Sequence, residues 1–128
     1  MPTLPITLTL PWPPSVNYYW RHVPFGSKIR TILTREARKY KTDVEAIVMA
    51  KNAAAGLSNP LAVDLVLFPP DNKKRDIDNY SKGLFDALTE AGVWKDDSLV
   101  KELHTYMQPS TGHPGSARII IRNKENKL

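Results

Sequence analysis

The sequence predicts an α+β fold, a two-layer sandwich in which a mixed β-sheet carries two helices packed on one face. Two observations carry that reading. Stretches with strand-like patterning enclose two with helical patterning, in the order β, hairpin, α, β, α, β, β. Between the helices, Leu61–Phe68 is apolar on both pleat faces except for Asp64, as a central strand must be. At 128 residues and 14.4 kDa, residues 1–128 read as one domain.

Each element has its own signal. Leu4, Ile6, Leu8 and Leu10 alternate with Pro5, Thr7 and Thr9, a strand with one buried face. Pro5 cannot donate to a ladder, which makes this an edge strand or turns the missing N–H outward. Pro11-Trp12-Pro13-Pro14-Ser15-Val16-Asn17 is a stiff, extended connection. Residues 18–22 and 29–33, either side of Pro24-Phe25-Gly26, read as a short hairpin. Thr34 is placed to cap a helix to about Ala55, on which Ala37, Tyr40, Val44, Ile47, Val48 and Ala54 share roughly a third of the circumference. Gly56 stops it. The central strand follows, and then a second helix over 78–91 closed by Gly92. Strands over 99–107 and 116–122, joined by a Pro/Gly-rich turn at 109–115, complete the sheet.

Composition narrows the chemistry. The chain has no cysteine, which removes disulfides, thiolate nucleophiles, zinc fingers and iron–sulfur clusters. Eighteen Lys and Arg against thirteen Asp and Glu leave a formal charge of +5, a balance suited to a polyanionic partner. The proline-broken start lacks a targeting signal and no apolar run approaches membrane-spanning length, so the expectation is a soluble cytoplasmic protein without a membrane partner. There is no Gly-rich phosphate loop, so no nucleotide cofactor is expected, and no nucleophile elbow. His22, His104 and His113 show no metal-ligand spacing. Trp12, Tyr18, Tyr19 and Trp20, with Arg21, read chiefly as packing residues, stacking on unpaired bases being their alternative use.

The unusual stretch is Pro70-Asp71-Asn72-Lys73-Lys74-Arg75-Asp76-Ile77-Asp78-Asn79-Tyr80-Ser81-Lys82. In extended backbone Asp76 and Asp78 share a face at a separation of roughly 7 Å. Two such carboxylates can hold one hard cation through oxygen, with water completing the shell. Lys73, Lys74 and Arg75 stand immediately before them, so a phosphodiester attracted by the cations would meet the metal. On the helix, Lys82 lies about 40° round from Asp78, with Asp86 and Glu90 at about 80° and 120°. Tyr80, Leu84, Ala87, Leu88 and Ala91 form the core face and Phe85 flanks it. Plainer uses exist: Asp78 as an N-cap, Asp78–Lys82 as an i,i+4 pair, and Asp96-Asp97 as a turn before a strand. They leave the paired carboxylates beside the cations unaccounted for.

These residues resemble the RusA-type crossover-junction endodeoxyribonucleases, the Holliday-junction resolvases of bacteria and their phages. The likeness rests on Leu10-Pro11-Trp12-Pro13-Pro14-Ser15-Val16-Asn17, Arg75-Asp76-Ile77-Asp78-Asn79-Tyr80-Ser81-Lys82, Phe85-Asp86-Ala87-Leu88-Thr89 and Gly92-Val93-Trp94-Lys95-Asp96-Asp97, in that order along most of the chain. It implies a homodimer that nicks four-way DNA junctions symmetrically, leaving 5′-phosphate and 3′-hydroxyl ends in recombination and repair. It implies Mg²⁺ as cofactor, with Mn²⁺ able to substitute, held by Asp76, Asp78 and Asp97, and Lys82 as a catalytic lysine. Spacing alone does not choose Asp97 over Asp96. In such a site the metal would polarise the phosphate and acidify an attacking water, and Lys82 would stabilise developing charge. Lys73, Lys74, Arg75 and Asn79 are the expected DNA contacts, although Lys73 and Lys74 stand where arginines are common in the family. Gly83 departs from good helix chemistry by up to about 1 kcal/mol. The competing readings are a non-catalytic nucleic-acid-binding protein and a metal-dependent nuclease for flaps or other branched DNA.

Overall fold

The computed structural model describes residues 3–125. Its regular elements are β1 (Ile6–Pro11), β2 (Trp20–Phe25), β3 (Lys28–Leu33), α1 (Arg35–Ala50), β4 (Leu61–Phe68), α2 (Ser81–Glu90), β5 (Val100–Met107) and β6 (Ser116–Asn123). The main sheet has the order β1-β6-β4-β5, with β1 antiparallel to β6, β6 antiparallel to β4, and β4 parallel to β5. It is therefore mixed, and β4 is central, as its apolar run requires. The parallel pair is joined through α2, the crossover that parallel strands need. β2 and β3 form a separate antiparallel ribbon with no partner in the main sheet.

The alternation of β4 explains the layers. Leu61, Val63, Leu65 and Leu67 are fully buried in one cluster with Val44 and Val48 of α1 and Leu84 and Leu88 of α2. Asp64, the one polar residue of that strand, takes a 2.6 Å hydrogen bond from Arg122 Nη1 on neighbouring β6. β1 contributes Ile6, Leu8 and Leu10 to the core while Thr7 and Thr9 stay exposed.

Four boundaries differ from the sequence reading. In the hairpin, Pro24 and Phe25 pair with Ile29 and Lys28 inside the ribbon, so the turn falls at Gly26-Ser27, and Tyr18 ends a 3₁₀ turn that precedes β2. β1 begins at Ile6, so Leu4 and Pro5 precede it and the missing N–H of Pro5 removes no ladder bond. α1 ends at Ala50 rather than near Ala55, because Asn52 takes a left-handed φ of 52° and Leu57 then bridges to Trp94. Ala54 is consequently exposed instead of lining the helix core face. α2 begins at Ser81, preceded by a 3₁₀ turn at Ile77–Asn79, so Asp78 is not its N-cap. The cap predicted at Thr34 is present, its hydroxyl accepting from Ala37 N at 3.2 Å.

Gly83 has a packing reason. A Cβ there would lie 2.9 Å from Pro14 Cγ and 3.2 Å from Tyr19 Cε1, so glycine lets the Pro-rich connection lie directly on α2. Gly83→Ala is expected to lower unfolding free energy by about 1–2 kcal/mol, the overpacking exceeding the gain in helix propensity. A denaturant melt checks this; a stabilised variant would mean that the connection yields freely.

Candidate active site

Two carboxylate groups flank the start of α2. In the first, Asp76 precedes the 3₁₀ turn that carries Asp78, and both residues are exposed. The turn is closed by backbone, with Asn79 N donating to the Asp76 carbonyl at 3.2 Å, and the Asp76 side chain makes no capping bond. These carboxylates are thus not consumed by helix capping, the plainer use that the sequence offered. Asp76 and Asn79 line a cleft of about 360 Å³ with Lys74 and Arg75 from the basic loop and Asn17 from the Pro-rich connection.

The second group lies one turn along α2. Lys82 Nζ donates to Asp86 Oδ1 at 3.3 Å, and Tyr19 OH donates to Asp86 Oδ2 at 2.9 Å. Lys82 Nζ also stands 5.8 Å from the centre of the Trp20 ring. Lys82 and Asp86 share a cleft of about 320 Å³ with Asp96, Asp97 and the ion-paired Lys41 and Glu90. Within the Asp96-Asp97 pair the roles separate. Asp96 Oδ1 accepts from Ser98 N at 2.9 Å, a bond that caps the turn Asp97–Leu99 and holds its own carboxyl below the ordinary range. Asp97 is shifted the other way, first by partial burial and then by the facing charge of Asp86, with Lys82 opposing. The loop that delivers it is anchored by Trp94, buried edge-on against Phe85 and donating from Nε1 to Thr89 Oγ1 at 2.6 Å.

Lys82 and Asp97 are therefore brought together, and Asp76 and Asp78 are neighbours on one turn, but Asp76 lines a different cleft from Lys82 and Asp97, and Asp78 lines neither of the two. Among the described residues, no three His, Asp or Glu side chains approach closely enough to hold a metal ion. Asp86 is the member that sequence reasoning missed as a functional candidate. Its signal was present in the i,i+4 spacing from Lys82, whereas the bond from Tyr19 spans 67 positions and has no local signature. The plainer Asp78–Lys82 pairing is not formed, and Lys82 pairs with Asp86 instead.

The basic loop is also divided. Lys73 and Lys74 are exposed, but the Arg75 guanidinium pairs with Asp71 at 2.9 Å and donates to the Asp71 carbonyl at 2.9 Å. It lies 5.6 Å over the Trp12 ring, which in turn packs 4.8 Å from Tyr80. Arg75 shapes the loop from within and leaves the lysines outermost. The aromatic set splits likewise: Tyr19 is buried and Trp12 half-buried, as packing residues should be, while Tyr18 and Trp20 are exposed.

The chain thus combines a βαβ crossover, a basic loop and carboxylates at the start of a helix. A family profile described as Endodeoxyribonuclease RusA matches residues 11–122. The chain is 38% identical over 104 residues to a crossover junction endodeoxyribonuclease of Enterobacteria phage 82, covering 81% of this chain and 83% of the relative. It is 38% identical over 105 residues to the proteins of the same name from Shigella sonnei and Escherichia coli K12, covering 82% of this chain and 84% of each relative. The chain belongs to the RusA family of endodeoxyribonucleases.

Proposed function

We propose that this protein is a divalent-metal-dependent Holliday-junction resolvase, acting as a homodimer on four-way DNA in the cytoplasm. The observation that carries the reading is the pairing of Lys82 with the Asp86–Asp97 cleft, on the helix that the unconsumed carboxylates of Asp76 and Asp78 precede. Family membership makes the substrate a DNA phosphodiester; the relatives' shared name makes the four-way crossover the favoured form of it. No described helix is long and apolar enough to cross a membrane.

In this reading Lys82 stabilises negative charge on the scissile phosphate or leaving oxygen. Asp86 holds the ammonium in place between phosphate cycles, and Tyr19 holds Asp86. Lys73 and Lys74 grip backbone without reading sequence, with Asn79 at the cleft wall. Asp76, Asp78 and Asp97 are hard oxygen donors of the kind that Mg²⁺ or Mn²⁺ takes. One chain presents them in two groups, which does not by itself fit a single ion. The reading therefore requires a second copy or bound DNA to complete the set. A four-way junction has approximate two-fold symmetry, and a C2 dimer places two identical sites on opposed strands.

The test is cleavage of an end-labelled four-way junction. With Mg²⁺ the expected result is paired nicks in opposed strands, resealable by ligase because the ends are 5′-phosphate and 3′-hydroxyl. Cleavage should disappear in EDTA and return with excess Mg²⁺ or Mn²⁺. Binding without cleavage in every sample would identify a non-catalytic DNA-binding protein instead.

A further inference from the structure

We propose that the β2–β3 ribbon is a DNA-gripping arm that leads from the active site along a duplex arm of the substrate. The ribbon is almost wholly exposed: Tyr18 at its root is 74% exposed, Phe25 at its tip 61% and Ile29 74%. A two-stranded ribbon on its own is at best marginally stable in water, so an exposed one gains from a counter-surface. Its charge says which kind. No Asp or Glu precedes Glu36 in the chain, whereas Arg21, Lys28 and Arg30 all lie on the ribbon.

The pairing register places those cations together. Arg21 is opposite Ile32, Val23 opposite Arg30, and Phe25 opposite Lys28, so by strand alternation the three cations and Phe25 occupy one face. Arg30 lies 5.0 Å over the Phe25 ring, as that face requires. Among the described residues none of the three makes an ion pair. Unpaired cations on a ribbon that carries no carboxylate of its own suit a polyanion, with Glu36 of α1 lining a cleft beside Arg21 at the root. They do not suit a second copy of the same face, since a two-fold contact would set like charges against each other. A two-stranded ribbon is also of a size that the DNA major groove admits.

The root of the ribbon fixes where it starts. Trp20 lies under Lys82, and Tyr19, the residue before it, is bonded to Asp86. From Trp20 to Phe25 the strand reaches about 17 Å. By the same alternation Trp20 is on the face opposite the cations. The ribbon therefore starts beside Lys82 and presents Arg21, Arg30 and Lys28 on its other face, a length that spans about five nucleotides of a strand laid along it. The ribbon thus adds to the Lys73–Lys74 loop a second, sequence-independent grip, and this role rests on the nuclease reading above.

The test is Arg21→Gln/Lys28→Gln/Arg30→Gln in the full chain, with Arg21→Lys/Arg30→Lys as the charge-retaining control. Binding to an immobile four-way junction, and to a plain duplex of equal length, is followed by fluorescence anisotropy across a salt series. The neutral variant should bind on the order of tenfold to a hundredfold more weakly at moderate salt. Its log–log salt slope should fall by about 2.7, three phosphate contacts at about 0.9 each. The control should bind like wild type, and sedimentation should give all three proteins the same mass. An unchanged slope overturns the proposal. Equal loss in the control also overturns it, because then shape rather than charge is responsible, and a change of mass would make the ribbon a self-association surface. The duplex arm keeps the two readings separable: wild type without junction preference would defeat the resolvase reading, while the slope still judges the ribbon.

Discussion

Asp76→Asn is expected to abolish nicking of a four-way junction, by on the order of a thousandfold or more, while binding stays equal to wild type or improves. The amide is nearly isosteric, so nothing in the packing should respond. Asp76 is exposed and its side chain makes no capping bond, which leaves the fold no reason to need the charge. On the proposed metal-dependent reading the chemistry does need it, because a neutral amide is a poorer donor to a hard cation than a carboxylate. Removing a negative charge beside Lys74 and Arg75 also relieves repulsion of the incoming phosphates. Single-turnover cleavage and anisotropy, measured on the same junction, separate the two effects. Loss of binding together with activity would give Asp76 a structural role, and undiminished cleavage would remove it from the chemistry.

Lys82→Ala should likewise spare binding and reduce cleavage by about a hundred- to a thousandfold, the range for removing one group that stabilises charge in the transition state. The surrounding network makes the expectation more specific. Asp86 accepts from Lys82 and from Tyr19, so Asp86→Asn should loosen the ammonium without deleting it, at a cost of about ten- to a hundredfold in rate, as for other outer partners of a site. Near-normal cleavage by Lys82→Ala would take the lysine out of the mechanism. An Asp86→Asn loss as large as that of Lys82→Ala would make Asp86 a direct participant rather than a support.

Much of the framework was readable because it is written in local periodicity. The apolar run of β4 required a central strand, and the 3.6-residue spacing of Ala37, Tyr40, Val44 and Val48 required a helix buried on one side. Helix ends were harder. Ala53, Ala54 and Ala55 favour helix, yet the turn at Asn52 and the bridge from Leu57 to Trp94 end α1 earlier, and that bridge is tertiary. Asp78 looks like a cap by residue type, but a 3₁₀ turn intervenes before α2. In the candidate site, spacing brought out Asp76, Asp78 and Lys82, while the choice of Asp97 came from resemblance. The structure supplies a physical distinction there: Asp96 is bound to Ser98 and Asp97 faces Asp86. The engagement of Arg75 by Asp71 and Trp12, and of Asp86 by Tyr19, depends on contacts that fold distant segments together, which a linear pattern does not encode.

Selectivity for branched DNA is the central claim, and a substrate panel tests it most directly. Linear duplex, a flapped duplex and a four-way junction of matched sequence would be incubated with the wild-type protein and Mg²⁺ at one ionic strength. Symmetric nicking confined to the four-way junction is the predicted result. Equal or faster cutting of the flap or the plain duplex would contradict it and make the protein a nuclease of broader taste.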